Sequence, residues 1–378
     1  MKIIFLCGSL EPGRDGVGDY TRRLAGEMIR QGHQAGIIAL NDLHLSTAFN
    51  GEQQSDGMVL PVLRLPSLWL PSERFQHAGL WIDDFNPEWL SLQFVPFSFH
   101  PRGLTFGISR SLLRLGKNRK WHIMFHELWV GMHRHAPKKE VIWGYVQRRL
   151  IFSLITKLKP TLIHTQSSLY RAQIAQLGFE AVLLPLFSNI PITANGEVFF
   201  DKPAEPGYKK QKISMVLFGG IHKGGPVEPF AREVKAYSKK TGVPVSLIIL
   251  GRGGSEQQHW EEAWKKQELE VVLMGEQSPV EISTILRRAS YGITTTVLWK
   301  VEKSGSVAAM VEHGLKVICV AAPWQPRNLP RLEKVPGVME YEEGKLQSLF
   351  NSTKEAASFS KVAEVSKNLV HSFTSGNH

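Results

Sequence analysis

Lys303, Ser304, Gly305 and Ser306, within VEKSGSVAAMVEHGLKVI (Val301 to Ile318), set a cation, two hydroxyls and a glycine at the start of a helical segment. Free N–H groups, hydroxyls and the positive end of a helix dipole together suit a diphosphate. A second segment, LFGGIHKGG (Leu217 to Gly225), places Lys223 shortly after Gly219 and Gly220 at the end of an apolar run. A third, GSLEPGRDGVGDYTRRLAGEMIRQGH, has Gly8 at a strand end, then Gly16 and Gly18 before a helix that starts near Asp19. An anion or a sugar hydroxyl fits there, and so does a role in turn geometry alone. The spacing is not the dinucleotide fingerprint, which needs strand-end glycines together with a ribose-binding acid at the end of the next strand.

MFHELWVGMHRH follows an apolar run and carries His126 and Glu127. Imidazole can donate to or accept from a sugar hydroxyl near neutral pH. A metal-binding His-Glu-x-x-His would need histidine at position 130, which is Val130, and His133 and His135 are out of register, so no metal is expected. SLQFVPFSFHPRG supplies Gln93, Pro96, Phe97, Phe99 and His100, whose rings can stack on a sugar, touch lipid or pack inward.

The elements that must position these residues read as alternating strands and helices. KIIFLCG, the helical GDYTRRLAGEMIRQG and QAGIIAL come first, with Tyr20, Leu24, Met28 and Ala25 on the buried side and Arg22, Arg23, Glu27 and Arg30 largely elsewhere. EWLSLQF, KWHIMFH, TLIHTQ and AVLLPL continue the pattern, with helices over 141–158 and 168–177, and a parallel sheet follows. The alternation pauses in SNIPITANGEVFFDKPAEPGYKKQK, rich in Pro, Gly and charge, then restarts at ISMVLFGG and runs through VSLIILG, LEVVLMG, YGITTT and KVICVA. Two open α/β domains are expected: 1–188, a linker over 189–212, and 213–378, with a final helix able to cross back to the first.

The chain has 378 residues, 43% hydrophobic, which is enough for two cores. Its longest apolar runs fall well short of the ~20 residues that cross a bilayer, and MKIIFLCGSLEP reads as a strand rather than a signal peptide. Cys7 and Cys319 sit in apolar runs and support neither a disulfide framework nor a metal site, which points to buried thiols in a reducing compartment. The net charge is +11, and the stretch from Arg102 to Arg171 holds fourteen Lys or Arg against Glu127 and Glu140. Such a patch suits anionic lipid, an anionic substrate or a solvated face.

GVGDYTRRLAGEMIRQGHQAGII resembles the N-terminal glycine loop and first helix of the retaining GT-B glycosyltransferases (glycosyltransferase family 4, or glycosyl transferases group 1). Asp15 stands at the family's first glycine, while Gly16, Val17, Gly18, Gly32 and His33 fit its pattern. The resemblance implies that His126 contacts the donor sugar, with Glu127 beside it. Lys223-Gly224 matches the second of two family cations on the diphosphate; the arginine is absent, Gly220 holds its approximate place, and His222 substitutes in part. Met274 and Gly275 would border the base. Aligned on Gly314, the second of two family glutamates falls on Ala309 and the first on Val301, with Glu302 next to it. Glu312, about one turn beyond Ala309, is the shifted candidate for the ribose hydroxyls. SLQFVPFSFHPRG resembles an acceptor-side loop.

The architecture implied is α/β, GT-B, two Rossmann-like domains facing each other across a cleft, the first binding the acceptor and the second the nucleotide sugar. The activity implied is sugar transfer from a nucleotide-sugar co-substrate to a glycan or lipid-linked glycan, with retention and with neither metal nor cofactor. His126, Lys223 and Glu302 are the catalytic candidates. Gly16, Gly18, Gly219, Gly220, Lys223, Gly275, Lys303, Ser304, Gly305, Ser306 and Glu312 are the donor-binding candidates, and Gln93, Phe97 and Glu127 face the acceptor. The expected setting is cytoplasmic, peripheral on an anionic membrane reached through VQRRLIFSLITKLK. Two readings stand beside it: a catalytically silent sugar-nucleotide binder or scaffold, favoured by Ala309 and the missing arginine, and a nucleic-acid binder, disfavoured by the few aromatics in the basic stretch.

Overall fold

The computed structural model describes residues 1–193, 212–252, 254–329, 335–350 and 359–375; positions 194–211, most of the expected linker, lie outside the described residues. The chain forms two compact units. The first is Met1–Asn189 with a short segment around Arg327 and the last helix, and the second begins at Ile190.

Apolar runs with buried residues on both faces make the strands of the first unit, as a sheet covered on both sides requires. In chain order they and their helices are β1 (Lys2–Cys7), α1 (Gly16–Arg30), β2 (Gln34–Asp42), β3 (Phe49–Ser55), β4 (Met58–Pro66), α2 (Pro71–Phe85), β5 (Trp89–Phe94), α3 (Pro96–Phe99), α4 (Ile108–Leu115), β6 (Lys120–Phe125), α5 (Lys138–Leu158), β7 (Leu162–Thr165), α6 (Ser168–Ala175) and β8 (Val182–Leu183). The sheet order is β3-β4-β2-β1-β5-β6-β7-β8. Winding reverses at β1, so the crevice of this sheet opens beyond the carboxyl ends of β1 and β5.

Two features differ from the sequence reading. The sheet is not wholly parallel, because β3 pairs antiparallel with β4. Its text, FNGEQQS, shows little apolar alternation, as suits a polar edge strand. The turn Asp56-Gly57, both at positive φ, was the legible hairpin signal. The second difference follows from the first. Arg22, Arg23 and Glu27 are 6%, 8% and 7% exposed rather than on an open face, because β3, β4 and the last helix also pack on α1. Arg23 is satisfied there by Asp56 at 2.8 Å.

The second unit contains β9 (Ile213–Phe218), α7 (Val227–Thr241), β10 (Val245–Leu250), α8 (Ser255–Lys266), β11 (Glu270–Gly275), α9 (Pro279–Arg288), β12 (Tyr291–Thr294), a 3-10 turn over Leu298–Lys303, α10 (Gly305–Glu312), β13 (Lys316–Cys319), β14 (Val338–Glu340) and α11 (Leu346–Phe350). Its strands run in the order β11-β10-β9-β12-β13-β14, with every pairing parallel. The reversal lies between β9 and β12, which places this sheet's crevice beside the loops that follow them. Trp260 and Trp264 of α8 fill the core on one face with Phe230. The final helix, α12 (Val362–Ser375), belongs to the first unit and sets Phe373 4.5 Å from the Trp89 ring.

Candidate functional site

In the second unit the loop after β9 meets the start of α10. Gly219 has φ +88°, and a Cβ built on it would lie 2.9 Å from Cβ of Ser306, so a side chain there would hold the two segments apart. Ser304 caps α10, its hydroxyl accepting from the Val307 N–H and lying 3.1 Å from the Ser306 hydroxyl. The loop after β12 joins from the other side: His222 N–H donates to Thr295 Oγ1 at 2.8 Å. Gly219, Gly220, His222, Thr295, Ser304 and Ser306 thus share the switch point of this sheet.

The electrostatics favour an anion. His222 is held below the ordinary histidine value, first by desolvation and then by the ammonium groups of Lys300 and Lys303. Lys300 also lies 5.3 Å over the Trp324 ring. Thr295 and Lys300 were not singled out from the sequence. Lys300 stands three residues before Lys303, and a cation recurring beside the loop from Lys303 to Ser306 was the available signal.

Other candidates of this unit are placed less directly. Lys223 is 79% exposed, its Nζ 4.0 Å from Glu256 Oε1, an exposed pair of little energetic weight that leaves the chain able to swing. Gly275 ends β11 and accepts from the Gly251 N–H at 2.9 Å, two strands away from β9. Glu302 lies in the 3-10 turn, half-buried. Glu312 closes the last turn of α10 and is 2% exposed, at the opposite end of the helix from Ser304. Ala309 is fully buried among Val307 and Met310, so a glutamate there would be a buried charge in this packing.

In the first unit Asp15 changes the meaning of the glycine loop. It is the N-cap of α1, its carboxylate accepting from the Gly18 N–H at 2.6 Å. Asp19, in the first turn, accepts from the Gly13 N–H and pairs with Arg22. The donors at this helix start therefore already face carboxylates. Gly18 is required by packing, since a Cβ would lie 2.6 Å from the Ser9 carbonyl oxygen, whereas a Cβ on Gly16 would meet nothing. An acid does end the second strand: Asp42 accepts from Ser9 Oγ, the Leu10 N–H, the His44 N–H and Arg64. Burial would raise its pKa, but these bonds, Arg64's first, outweigh burial and hold it below the ordinary carboxylate range. It ties the β1 loop to β4 and is not open to a ribose.

His126 lies just beyond β6, 5% exposed, with Nε2 2.9 Å from Gln93 Oε1 and its ring edge-on to Tyr20. Gln93 was expected at an acceptor; it is 1% exposed, its amide engaged by His126 and Ser91. Glu127 follows, half-buried, and Phe97 of α3 is 39% exposed. Phe99 stacks on Phe94, and His100 Nδ1 accepts from the Arg102 and Leu104 N–H groups, so both are structural. Among the described residues no group of three His, Cys, Asp or Glu side chains is set to hold a metal, and no helix is long and apolar enough to cross a membrane.

In the basic stretch Ile151 and Leu154 are core residues at 1% exposure, not surface ones. Phe106, Leu113, Ile142, Tyr145 and Phe152 are exposed instead, on or beside α4 and α5 with Arg110, Arg114 and Arg149.

No protein-family model matches the sequence, and no curated protein matches it. Solved structures do match. Anabaena HepE in complex with UDP and glucose is 14% identical with a TM-score of 0.57, covering 99% of this chain and 100% of its own. A glycosyltransferase from Rickettsia africae is 10% identical, TM-score 0.54, covering 99% and 94%. The UDP-GlcNAc 2-epimerase from Methanocaldococcus jannaschii is 9% identical, TM-score 0.54, covering 99% and 100%. At these identities the likeness is one of fold, a GT-B-like pair of Rossmann-type domains.

Proposed function

We propose that the protein binds a nucleoside diphosphate sugar through its second unit and transfers the sugar to a glycan or lipid-linked glycan. The observation that carries this reading is the meeting of the Gly219 loop with the hydroxyl-capped start of α10, beside two lysines that depress His222. Such a field recruits an anion and stabilises the charge that develops on a leaving diphosphate. Neighbours of like fold, a HepE solved with UDP and glucose, a glycosyltransferase and a UDP-GlcNAc 2-epimerase, support a sugar nucleotide as that anion.

In the transfer, the bond from sugar C1 to the diphosphate oxygen breaks, C1 bonds to the acceptor hydroxyl oxygen, and the hydroxyl's proton passes to the leaving diphosphate oxygen. Lys223 and the N–H groups of Gly305 and Ser306 take up the negative charge of the leaving group, so no metal is needed. His126 and Glu302 orient the sugar, and Glu127 and Phe97 serve the acceptor. Retention of configuration rests on the family resemblance. The exposed apolar residues of α4 and α5 among arginines suit an anionic membrane bearing a lipid-linked acceptor. Equal sedimentation with neutral and anionic vesicles at low salt would remove that contact.

A second reading, donor binding without transfer, is favoured by buried Ala309 and by Gly220 in place of the arginine. Calorimetry with UDP-, GDP-, ADP- and TDP-sugars in EDTA, on the wild type and Lys223→Ala, tests both. One donor binding without metal, and lost in the variant, supports the site; no binding by any donor rejects both readings. NMR of the sugar after incubation with candidate acceptors then separates a transferred glycoside, a 2-epimer and unchanged donor.

A further inference from the structure

The first unit holds a cavity of about 130 Å³ that none of the candidate residues lines. It lies between the loop after β6, the first half of α5, the end of α6 and the short segment around Arg327, and every residue lining it belongs to the first unit. Two glycines shape it. Gly131 has φ +74°, and a Cβ there would lie 2.6 Å from the Glu140 carbonyl oxygen; a Cβ on Gly144 of α5 would lie 2.0 Å from that of Val130. Only glycine lets loop and helix approach so closely. Gln147, 1% exposed, fixes the loop, accepting from the Val130 N–H at 2.9 Å and donating to the Arg102 carbonyl at 3.1 Å. The opposite wall is pinned as well. The Arg327 N–H donates to the Met132 carbonyl at 2.8 Å, and the Gln176 amide donates to the Asn328 carbonyl at 2.9 Å.

Two guanidinium groups enter this frame from different elements, Arg148 from α5 and Arg327 from the segment that carries it. Both are half-buried, and among the described residues neither pairs with a carboxylate. Arg148 gives Nη2 to the Gln176 carbonyl at 3.3 Å, a long hydrogen bond, and lies 5.7 Å over the Trp129 ring. Arg327 gives Nη2 to the Arg134 carbonyl at 3.1 Å. The Nε of each is buried with no hydrogen-bond partner. Each guanidinium has five N–H donors, so most remain unspent. Partly desolvated cations without a counter-charge cost stability, and an anion is the partner they lack.

One guanidinium by itself matches the two coplanar oxygens of a carboxylate. Two of them, reaching in from separate elements, suit the several oxygens and double charge of a phosphate. The cavity equals roughly four water molecules at ~30 Å³ each, room for one such group. Whole ligands fill pockets of about 300 Å³ or more, so the remainder of the molecule lies outside it. Tyr145, 58% exposed, stands at the rim where that remainder emerges.

We infer that this cavity is a phosphate subsite, in which Arg148 and Arg327 clasp the phosphate and Tyr145 flanks the group that bears it. That the phosphate belongs to the acceptor, on a sugar or on a lipid head group, rests on the proposed function; the subsite does not.

Nitrogen-15 NMR of the Trp129 indole in the full chain, assigned with Trp129→Phe, reads this cavity apart from the second unit. Inorganic phosphate at constant ionic strength should shift the signal saturably, in the wild type and equally in Lys223→Ala. Arg148→Gln and Arg327→Gln should each weaken phosphate about 10-fold or more. Arg149→Gln, which removes a cation lying over the Tyr145 ring but not lining the cavity, should change it less than about 2-fold. Should a variant not fold, Arg148→Lys keeps the cation without the planar fork and should still weaken binding several-fold. Tighter binding of a hexose 1-phosphate than of phosphate assigns the group to a sugar; an indole shift with vesicles containing phosphatidic acid, and none with neutral ones, assigns it to a lipid. Phosphate binding as tightly as either keeps the subsite and overturns its link to the acceptor. An indole that phosphate does not shift, or equal affinity in both arginine variants, would overturn the inference even if a nucleotide sugar binds the second unit. A phosphate shift with no nucleotide sugar binding would leave the subsite and remove the proposed function.

Discussion

α1 and α10 begin alike, each after a strand and a loop and each with a glycine, Gly16 or Gly305, as its first residue, yet their first turns carry opposite electrostatics. At α1 the cap is the Asp15 carboxylate, with Asp19 in the first turn. At α10 the cap is the Ser304 hydroxyl, with Lys300 and Lys303 just before it and His222 nearby. A helix start attracts anions only while its N–H groups and dipole are not already matched by a fixed charge. The glycine pattern is therefore a statement about backbone shape, and the neighbouring charges decide which of the two loops can hold a diphosphate.

Exchanging the cap types is the strongest way to break that contrast. Ser304→Asp would give α10 the cap that α1 has. Asp caps as well as Ser does, so the melting temperature should hold or rise. At an effective dielectric of about 20, two unit charges roughly 5 Å apart repel by about 3 kcal/mol, so diphosphate affinity should fall on the order of 100-fold. Isothermal titration with UDP reads both the variant and the wild type. Unchanged affinity would show that α10 does not hold the diphosphate and that the charge contrast has no bearing on ligand choice.

The strands of both sheets were legible because uninterrupted Ile, Leu and Val runs have few other destinations, as KIIFLC and VSLIIL illustrate. The loops at Gly219 and Ser304 were legible because a close backbone approach leaves few residue choices. The strand Phe49–Ser55 was legible only through the Asp56-Gly57 turn that follows it, since an edge strand needs no apolar face; missing it left Arg22, Arg23 and Glu27 on the wrong side of α1. The buried polar contacts that run from His126 through Gln93, Ser91 and His122 to His164 were half visible. Gln93 and His126 drew notice as polar residues at strand ends, but Ser91, His122 and His164 acquire meaning only when β5, β6 and β7 are set side by side. Ala309 shows the limit of alignment by motif, because the position that the resemblance matches to a glutamate lies in a core here.

A smaller effect sharpens the contrast from the side of α10. His222 is depressed first by desolvation and then by Lys300 and Lys303. A bound diphosphate offsets the lysines, so the pKa of His222 rises on binding. Between its free and bound values, binding takes up a proton, and affinity should increase a few-fold as pH falls through that interval while staying flat well above it. Calorimetry in two buffers of different ionisation enthalpy measures the proton directly. His222→Asn should remove this component and leave only the ligand's own titration; an identical pH slope in the variant would place the lysines' field elsewhere.

The smallest effect belongs to α1 and follows from the same logic. Burial raises the Asp15 pKa, and the bonds from the Gly18 and Val17 N–H groups offset it only in part. A carboxyl whose folded value exceeds its unfolded one binds its proton more tightly in the native state. Its contribution to stability therefore improves as pH falls from the raised value toward the unfolded value of about 3.9, and its cost is fully present at neutral pH. Asp15→Asn keeps the capping oxygen and removes the charge, and Asn caps about as well as Asp. At pH 7 urea unfolding should place the variant within about 0.5 kcal/mol of the wild type or above it, with the difference shrinking below pH 4. A loss of several kcal/mol would mean that the charge itself holds the α1 loop closed, and the two helix starts would then differ in what stabilises them as well as in what they can bind.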